Sequence, residues 1–182
     1  MPKEKIQFML SYSRLDKEMV DEIDAALRHI PQIILHRDTI DIGPWQSIES
    51  YMKSASDMDF TVLLISDSYL KSSNCMYEVL RVMKDEKYEG KIFPAVAAKE
   101  IYGPLGRAKY VKYWQEECDK LETALKGISV QNLGSFPQDL KKMKNIAANV
   151  AEFLNMVADM NNPAMEDVVD AIKHKLCIAA GE

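Results

Sequence analysis

The sequence lacks the patterns by which most nucleotide-binding and metal-binding proteins are identified. It contains no Gly-x-Gly-x-x-Gly and no Gly-Lys-Ser/Thr phosphate loop, so the standard backbone cradles for phosphate groups are absent. Its histidines, at positions 29, 36 and 174, are far apart and do not have the spacing of metal ligands. We therefore expect neither a metal site nor a bound cofactor.

Cysteine is also scarce, and positive charge does not dominate. The three cysteines, Cys75, Cys118 and Cys177, are odd in number and scattered, which is typical of reduced cytosolic thiols. No apolar run approaches the length that crosses a membrane, and residues 1–6 lack the apolar core of a signal peptide. The net charge of −5 argues against general nucleic-acid or anionic-membrane binding. We expect a cytoplasmic protein with no nucleic-acid or membrane partner.

What the sequence does contain is an alternation of short apolar runs with amphipathic stretches. Strand-like runs occur at residues 6–10, 33–35, 60–65 and 91–96. Apolar residues at helical spacing lie within residues 13–30, 45–55, 75–87 and 111–125. This alternation predicts an α/β fold, a flavodoxin-like doubly wound parallel sheet of four to five strands flanked by helices. Pro94 cannot donate to a strand ladder, so the fourth strand is expected either to end early or to lie near an edge.

The last part of the chain is helical by pattern. Apolar residues at helical spacing fill residues 140–157 and 168–176, with a break at the Asn-Asn-Pro of residues 161–163. These are extra helices beyond the alternating core. We predict one domain over residues 1–160, followed by a helix over 161–182 that either extends the domain or begins a connection.

The most informative segment is residues 69–78, YLKSSNCMYE, which leads from a buried strand into a helix. Open α/β sheets place their ligand sites at such crossings. Cys75 and Glu78 are three apart and share one helix face. Glu78 either caps the helix or does chemistry. A capping box needs its cap three residues earlier, where Cys75 is a poor cap, and a cap at Ser73 or Asn74 would leave Glu78 too far along. The pattern weakens capping but leaves both interpretations open.

Several segments, in the right order, resemble the conserved boxes of Toll/interleukin-1 receptor (TIR) domains. Residues 8–16 (FMLSYSRLD) resemble the first box, and residues 37–45 (RDTIDIGPW) resemble the second, the BB loop. Residues 64–78, which we call the third box of this sequence, are similar to the strand-to-helix segment that carries the glutamate of NAD-cleaving TIR domains. Residues 92–94 resemble the next strand. Trp45 and Glu49 match the Trp-x-x-x-Glu pattern of microbial TIR proteins.

The resemblance implies the TIR fold and a bacterial-type NAD+ nucleosidase. Such an enzyme cleaves the nicotinamide–ribose bond of NAD+, giving nicotinamide and ADP-ribose or a cyclic or conjugated ADP-ribose signal, in many relatives for antiphage immunity. Glu78 stands at the catalytic position, and NAD+ is a substrate, not a cofactor. The alternative is a non-catalytic signalling adaptor that acts through homotypic TIR–TIR assembly. Either version implies a homo-oligomer with contacts through the 36–45 loop, and a downstream effector or sensor domain as a further partner.

The resemblance also implies substrate-binding residues near the first and third boxes. Ser11 and Tyr12 end the first strand at the mouth of the crevice, where substrate contact competes evenly with a capping or core role. Cys75 is expected either to contact the substrate or to pack as a small buried side chain.

The second box supplies the remaining candidates. Arg37 and Asp38 open the loop, either as substrate-lining or partner-binding residues or as a solvated pair. Gly43 is expected in a turn with positive φ. Trp45 begins an apolar stripe, so core packing is favoured over stacking on a substrate ring. Glu49 is interpreted as a solvated helix residue.

Overall fold

The computed structural model describes residues 5–37, 44–45, 58–84 and 88–176. Strands and helices alternate along these residues. Their bounds are β1 Ile6–Ser11, α1 Lys17–Arg28, β2 Ile33–Arg37, β3 Phe60–Ile65, α2 Asp67–Leu70, α3 Ser73–Val82, β4 Ile92–Val96, α4 Pro104–Leu125, α5 Phe136–Asp159 and α6 Val168–Lys175. The helix predicted over 45–55 lies outside the described residues after its first position.

Within the described ranges the strands form one parallel sheet in the order β2-β1-β3-β4. The chain crosses from β2 past β1 to β3, so the strand order reverses between β1 and β3. Ser11 pairs with Leu63 at the carboxyl end of these two strands. Among the described strands β4 lies at an edge, where Pro94 needs no second ladder partner, as predicted.

Strand alternation divides the core into two layers. Val62 and Leu64 of β3 pack against α1 and α6, whereas Leu63 and Ile65 pack against α3, α4 and α5. All of β3 after its first residue is buried. This burial on both faces explains its apolar sequence, because such strands have almost no position that faces water. The predicted α/β fold with helices on both faces is confirmed.

The helices after β4 complete both layers. Helices α4 and α5 form a long antiparallel pair over α3, and α6 places Val168 and Ile172 on the opposite face beside α1. Helix α4 begins close to the 3-10 turn that follows β4. Gly106 permits this close approach, because a Cβ at this position would lie 1.9 Å from the carbonyl oxygen of Glu100. The domain boundary near residue 160 stays a prediction. No helix in the described ranges has both the length and the apolar character needed to span a bilayer.

Candidate functional site

Glu78 lies at the carboxyl end of the sheet and is held by β1. Its side chain projects from α3 and is only 7% exposed. Ser11, the last residue of β1, is 2% exposed, and its hydroxyl donates to Glu78 Oε2 at 2.8 Å. Strand alternation explains the contact, because Phe8 and Leu10 point to the α1 side and Ser11 therefore points to the α3 side. The structure brings these two predicted site residues together.

The beginning of α3 decides between the two interpretations of Glu78. The Ser72 hydroxyl accepts from the amide of Cys75 at 3.3 Å, so Ser72 is the cap and Ser73 is the first helical residue. Glu78 is then the sixth residue of the helix, too far along to reach the cap. The expected helix start at Cys75 was wrong by two residues, and Glu78 lies in the second turn rather than the first. The capping role is excluded.

Cys75 shares the buried face of α3 with Glu78. Its thiol is 7% exposed and lies 3.5 Å from the backbone carbonyl oxygen of Tyr12, to which it donates. This contact joins the first turn of α3 to the residue after β1. The structure thus supports the buried-packing interpretation of Cys75, and its substrate contact stays a prediction.

Tyr69 is a member of this site that the sequence interpretation missed. It lies in α2, is fully buried, and its hydroxyl is 2.9 Å from Ser11 Oγ. Burial, together with the nearby Cys75 and Glu78, raises the pKa of Tyr69 well above its usual value. The residue stands inside the third box, but an aromatic residue there is equally typical of a core position. Only packing reveals that its hydroxyl meets Ser11.

Asp16 fixes the start of α2 from the other side of the crevice. The spacing of Ser13 and Asp16 would suit a capping box in which the carboxylate reaches back to Ser13. Instead, Ser13 accepts from the amide of Leu15, and the Asp16 carboxylate accepts from Ser66 Oγ at 2.5 Å and Ser68 Oγ at 2.7 Å. Hydroxyl donors after β3 compete successfully for the carboxylate. The first and third boxes are thus joined directly.

The outer face of α2 is held by ionic contacts with α4. Asp67 accepts from Lys109 Nζ and Lys71 Nζ, both at 2.8 Å, and from Tyr110 OH at 3.0 Å. The hydrogen bond from Lys109, followed by that from Lys71, lowers the pKa of Asp67 to about 2. A folded-state pKa below the unfolded value stabilises the protein above pH 4, and this stabilisation is lost as the pH falls towards 2.

We expect Asp67→Asn to cost up to about 1 kcal/mol of unfolding free energy at pH 7, since the group is half exposed. The difference from the unmodified protein should shrink as the pH falls from 4 to 2. Urea denaturation across this pH range measures both effects, with Asp119→Asn, an exposed position, as the control for lost charge. A constant difference between pH 7 and pH 2 would contradict the role of the charged Asp67.

Arg37 and the Tyr12 ring lie on the opposite face of the sheet from Glu78. Arg37 ends β2, is 4% exposed, and donates from Nε to Tyr12 OH at 2.9 Å, while its Nη1 lies 2.7 Å from Asp21 of α1. Burial disfavours its charge, but the hydrogen bonds to Tyr12 and Asp21 raise the pKa of Arg37 above its usual value. The solvated-loop interpretation of Arg37 was wrong, because these partners draw it into the strand.

Trp45 corrects a second expectation. Its side chain is fully exposed and its φ is +63°, a backbone conformation that bulky residues rarely adopt. The expected core packing of Trp45 was wrong, since this turn directs the ring into solvent. Its stacking on a substrate ring stays a prediction. Asp38, Gly43 and Glu49 lie outside the described residues.

The arrangement offers an acid and hydroxyl groups rather than a metal cage. Where side chains are described, no group of three or more His, Cys, Asp or Glu residues could hold a metal ion. A buried carboxylate with a hydroxyl donor can stabilise a developing positive charge or accept a proton.

Comparison with known proteins agrees with this geometry. A family profile described as TIR domain matches residues 8–126, which is more than half of the chain and includes Ser11, Tyr69 and Glu78. A search of curated proteins found no significant match. The four parallel strands in the described residues, the flanking helices and the profile agree, and the chain belongs to the TIR domain family.

Proposed function

We propose that this protein cleaves the nicotinamide–ribose bond of NAD+, with Glu78 as the catalytic carboxylate. The observation that carries the proposal is the burial of Glu78 at the carboxyl end of β1, beside the point where the strand order reverses. Open α/β sheets bind ligands at this position. A structural cap was the competing explanation for the glutamate, and the cap at Ser72 removes it.

The chemistry of NAD+ suits a single carboxylate. Nicotinamide leaves as a neutral molecule from a cationic precursor, so its departure needs no general acid. The bond between ribose C1′ and the ring nitrogen breaks with its electron pair on nitrogen, leaving a ribosyl group of oxocarbenium character. An oriented anion in a water-poor site stabilises this charge far better than it would in water. Glu78 supplies such an anion.

The acceptor at C1′ determines the product. Attack by water gives ADP-ribose and releases one proton, while attack by an adenine nitrogen gives a cyclic product and another nucleophile gives a conjugate. We propose that the reaction serves in bacterial antiphage immunity, either by depleting NAD+ or by producing a signal. The support for this role is the resemblance to NAD-cleaving TIR domains described above.

Mass spectrometry of NAD+ incubated with the full chain tests the proposal. We expect nicotinamide to appear together with ADP-ribose, a cyclic isomer or a conjugate, and the mass identifies the acceptor. Specific activity should rise with protein concentration if contacts through the 36–45 loop complete the site. Intact NAD+ after prolonged incubation at high protein concentration would count against the enzyme.

A second candidate function is homotypic assembly without catalysis. The fully exposed Trp45 favours it, because a large aromatic side chain in solvent at the end of the 36–45 loop suits a protein contact. The same incubation separates the two functions: an adaptor would leave NAD+ intact while sedimentation shows concentration-dependent association. Assembly and catalysis can also coexist.

A further inference from the structure

Three side chains from three different elements form a continuous buried line to the carboxylate of Glu78. Tyr69 OH of α2 lies 2.9 Å from Ser11 Oγ of β1, which lies 2.8 Å from Glu78 Oε2 of α3. Tyr69 is fully buried and Ser11 is 2% exposed. The hydroxyl of Ser11 therefore has a protein partner on each side.

Elementary valence fixes the direction of both hydrogen bonds. The proposed reaction uses the ionised carboxylate, which only accepts, so Ser11 gives its single proton to Glu78. The Ser11 oxygen can then only accept from Tyr69, which must remain protonated. Tyr69 meets this condition, since its burial, with the nearby Cys75 and Glu78, raises its pKa well above the usual value of a tyrosine. Tyr69 thus donates to Ser11, and Ser11 donates to Glu78.

We propose that Tyr69 and Ser11 are positioning residues that orient the Glu78 carboxylate for the reaction, an inference that rests on the proposed NAD+ cleavage. Ser11 then serves Glu78 and not the substrate, which differs from the substrate contact that its place in the first box suggests. Chains of hydrogen bonds strengthen one another in a low-dielectric interior. The line therefore fixes the carboxylate more firmly than Ser11 would alone.

The position of Tyr69 is itself fixed. Its amide donates to the Ser66 hydroxyl at 3.0 Å, and Ser66 in turn donates to Asp16. Lys109 and Tyr110 hold the outer face of α2 through Asp67. Helix α2 is thus anchored on two sides, and the Tyr69 hydroxyl has little freedom to leave Ser11.

The test removes each hydroxyl separately and then both. For NAD+ cleavage we expect Tyr69→Phe to lower kcat about five- to tenfold and Ser11→Ala to lower it more, each with KM nearly unchanged. The double variant should equal Ser11→Ala, because Tyr69 acts only through Ser11. Tyr113→Phe is the matched control, since its hydroxyl donates to the backbone carbonyl of Lys71, the residue after α2, and lies outside the line. An unchanged kcat in Tyr69→Phe, or additive losses in the double variant, would overturn the proposal.

The pH profile gives a second readout. Tyr69 of α2 interacts electrostatically with both Glu78 and Cys75 of α3. Loss of the hydrogen-bond line disfavours the carboxylate anion, so the acid limb of the kcat profile should move to higher pH in Tyr69→Phe and stay in place in Tyr113→Phe. A purely structural role for Tyr69 would lower kcat without moving this limb.

A spectroscopic measurement separates this inference from the proposed function. The infrared carboxylate stretch of Glu78 is isolated in glutamate-labelled protein by subtracting the spectrum of Glu78→Gln, and it needs no turnover. We expect the stretch to shift in Tyr69→Phe and Ser11→Ala but not in Tyr113→Phe. An inactive wild type with the shift would refute NAD+ cleavage and support the hydrogen-bond line. An active wild type without the shift would refute the line alone.

Discussion

Glu78→Gln is expected to lose at least two to three orders of magnitude in the rate of NAD+ cleavage. Glutamine has the shape of glutamate and keeps an oxygen that can accept from Ser11, so the fold should be unchanged. It lacks the negative charge that stabilises the ribosyl cation, and removal of one preorganised stabilising group typically costs about 3 kcal/mol of transition-state free energy. Nicotinamide release, followed by liquid chromatography over hours, measures this loss.

Glu116→Gln is the matched control for this prediction. Glu116 lies on the exposed side of α4, where its carboxylate is 3.7 Å from Lys112 Nζ. Its substitution by glutamine makes the same chemical change far from the crevice. It should retain wild-type turnover. Turnover by Glu78→Gln within a few-fold of the wild type would show that another group carries the reaction, while equal losses in both variants would show that the effect is not specific to the site.

The second large effect is expected in stability, at Trp114. This side chain is 2% exposed among α3, α4 and α5, and its indole nitrogen donates to the carbonyl oxygen of Leu70 at 2.9 Å. Trp114→Ala removes a large apolar volume and leaves that buried carbonyl without this donor. The expected loss is about 3–5 kcal/mol of unfolding free energy. Urea denaturation followed by circular dichroism measures it.

The other tryptophan of the chain provides the control. Trp45 is fully exposed, so Trp45→Ala should change the unfolding free energy by no more than about 0.5 kcal/mol. The same residue type is thus removed from a buried and from an exposed position. Equal urea-denaturation midpoints for Trp114→Ala and Trp45→Ala would contradict the buried packing of Trp114.

Leu70 connects this stability prediction to the site. It follows Tyr69 in α2, so the Trp114 indole holds the same turn that carries the Tyr69 hydroxyl. A milder substitution, Trp114→Phe, would keep much of the packing while removing the donor. The core on the α4 side and the orientation of Glu78 therefore depend on a shared segment.

Strands were the elements most readily predicted from the sequence, because parallel strands that are buried on both faces consist of nearly continuous apolar residues. The bounds of β3 match the prediction at both ends. Strand β2 extends two residues further than predicted, to Arg37, because Tyr12 and Asp21 offer this cation partners inside the fold. Such partners are distant in sequence and leave no local signal.

The site was predicted in part. Glu78, Ser11 and Cys75 do lie together, and they could be found because each belongs to a motif at a strand end. Tyr69 was missed because α2 has four residues, too few for a helical period, and because a buried tyrosine looks like core until its hydroxyl partner is known. The helix start at Ser73 was misplaced since several serines compete as caps.

Trp45 shows the limit of periodicity. The pattern of residues 45–55 suits an amphipathic helix, and it assigns the first position to the core. The positive φ at Trp45 turns that residue outward, a property of the backbone that no apolar stripe encodes.

The Ser11–Glu78 hydrogen bond has a consequence for folding. The two residues are 67 positions apart, and their contact requires β1 to pair beside β3 after the chain has passed through β2. Closing long loops is entropically costly, so pairings of this kind form late and slowly. A nascent or partly folded chain therefore carries Glu78 as an ordinary solvated glutamate. The acid gains its orientation only when β1 and β3 have paired and α3 has packed beside them.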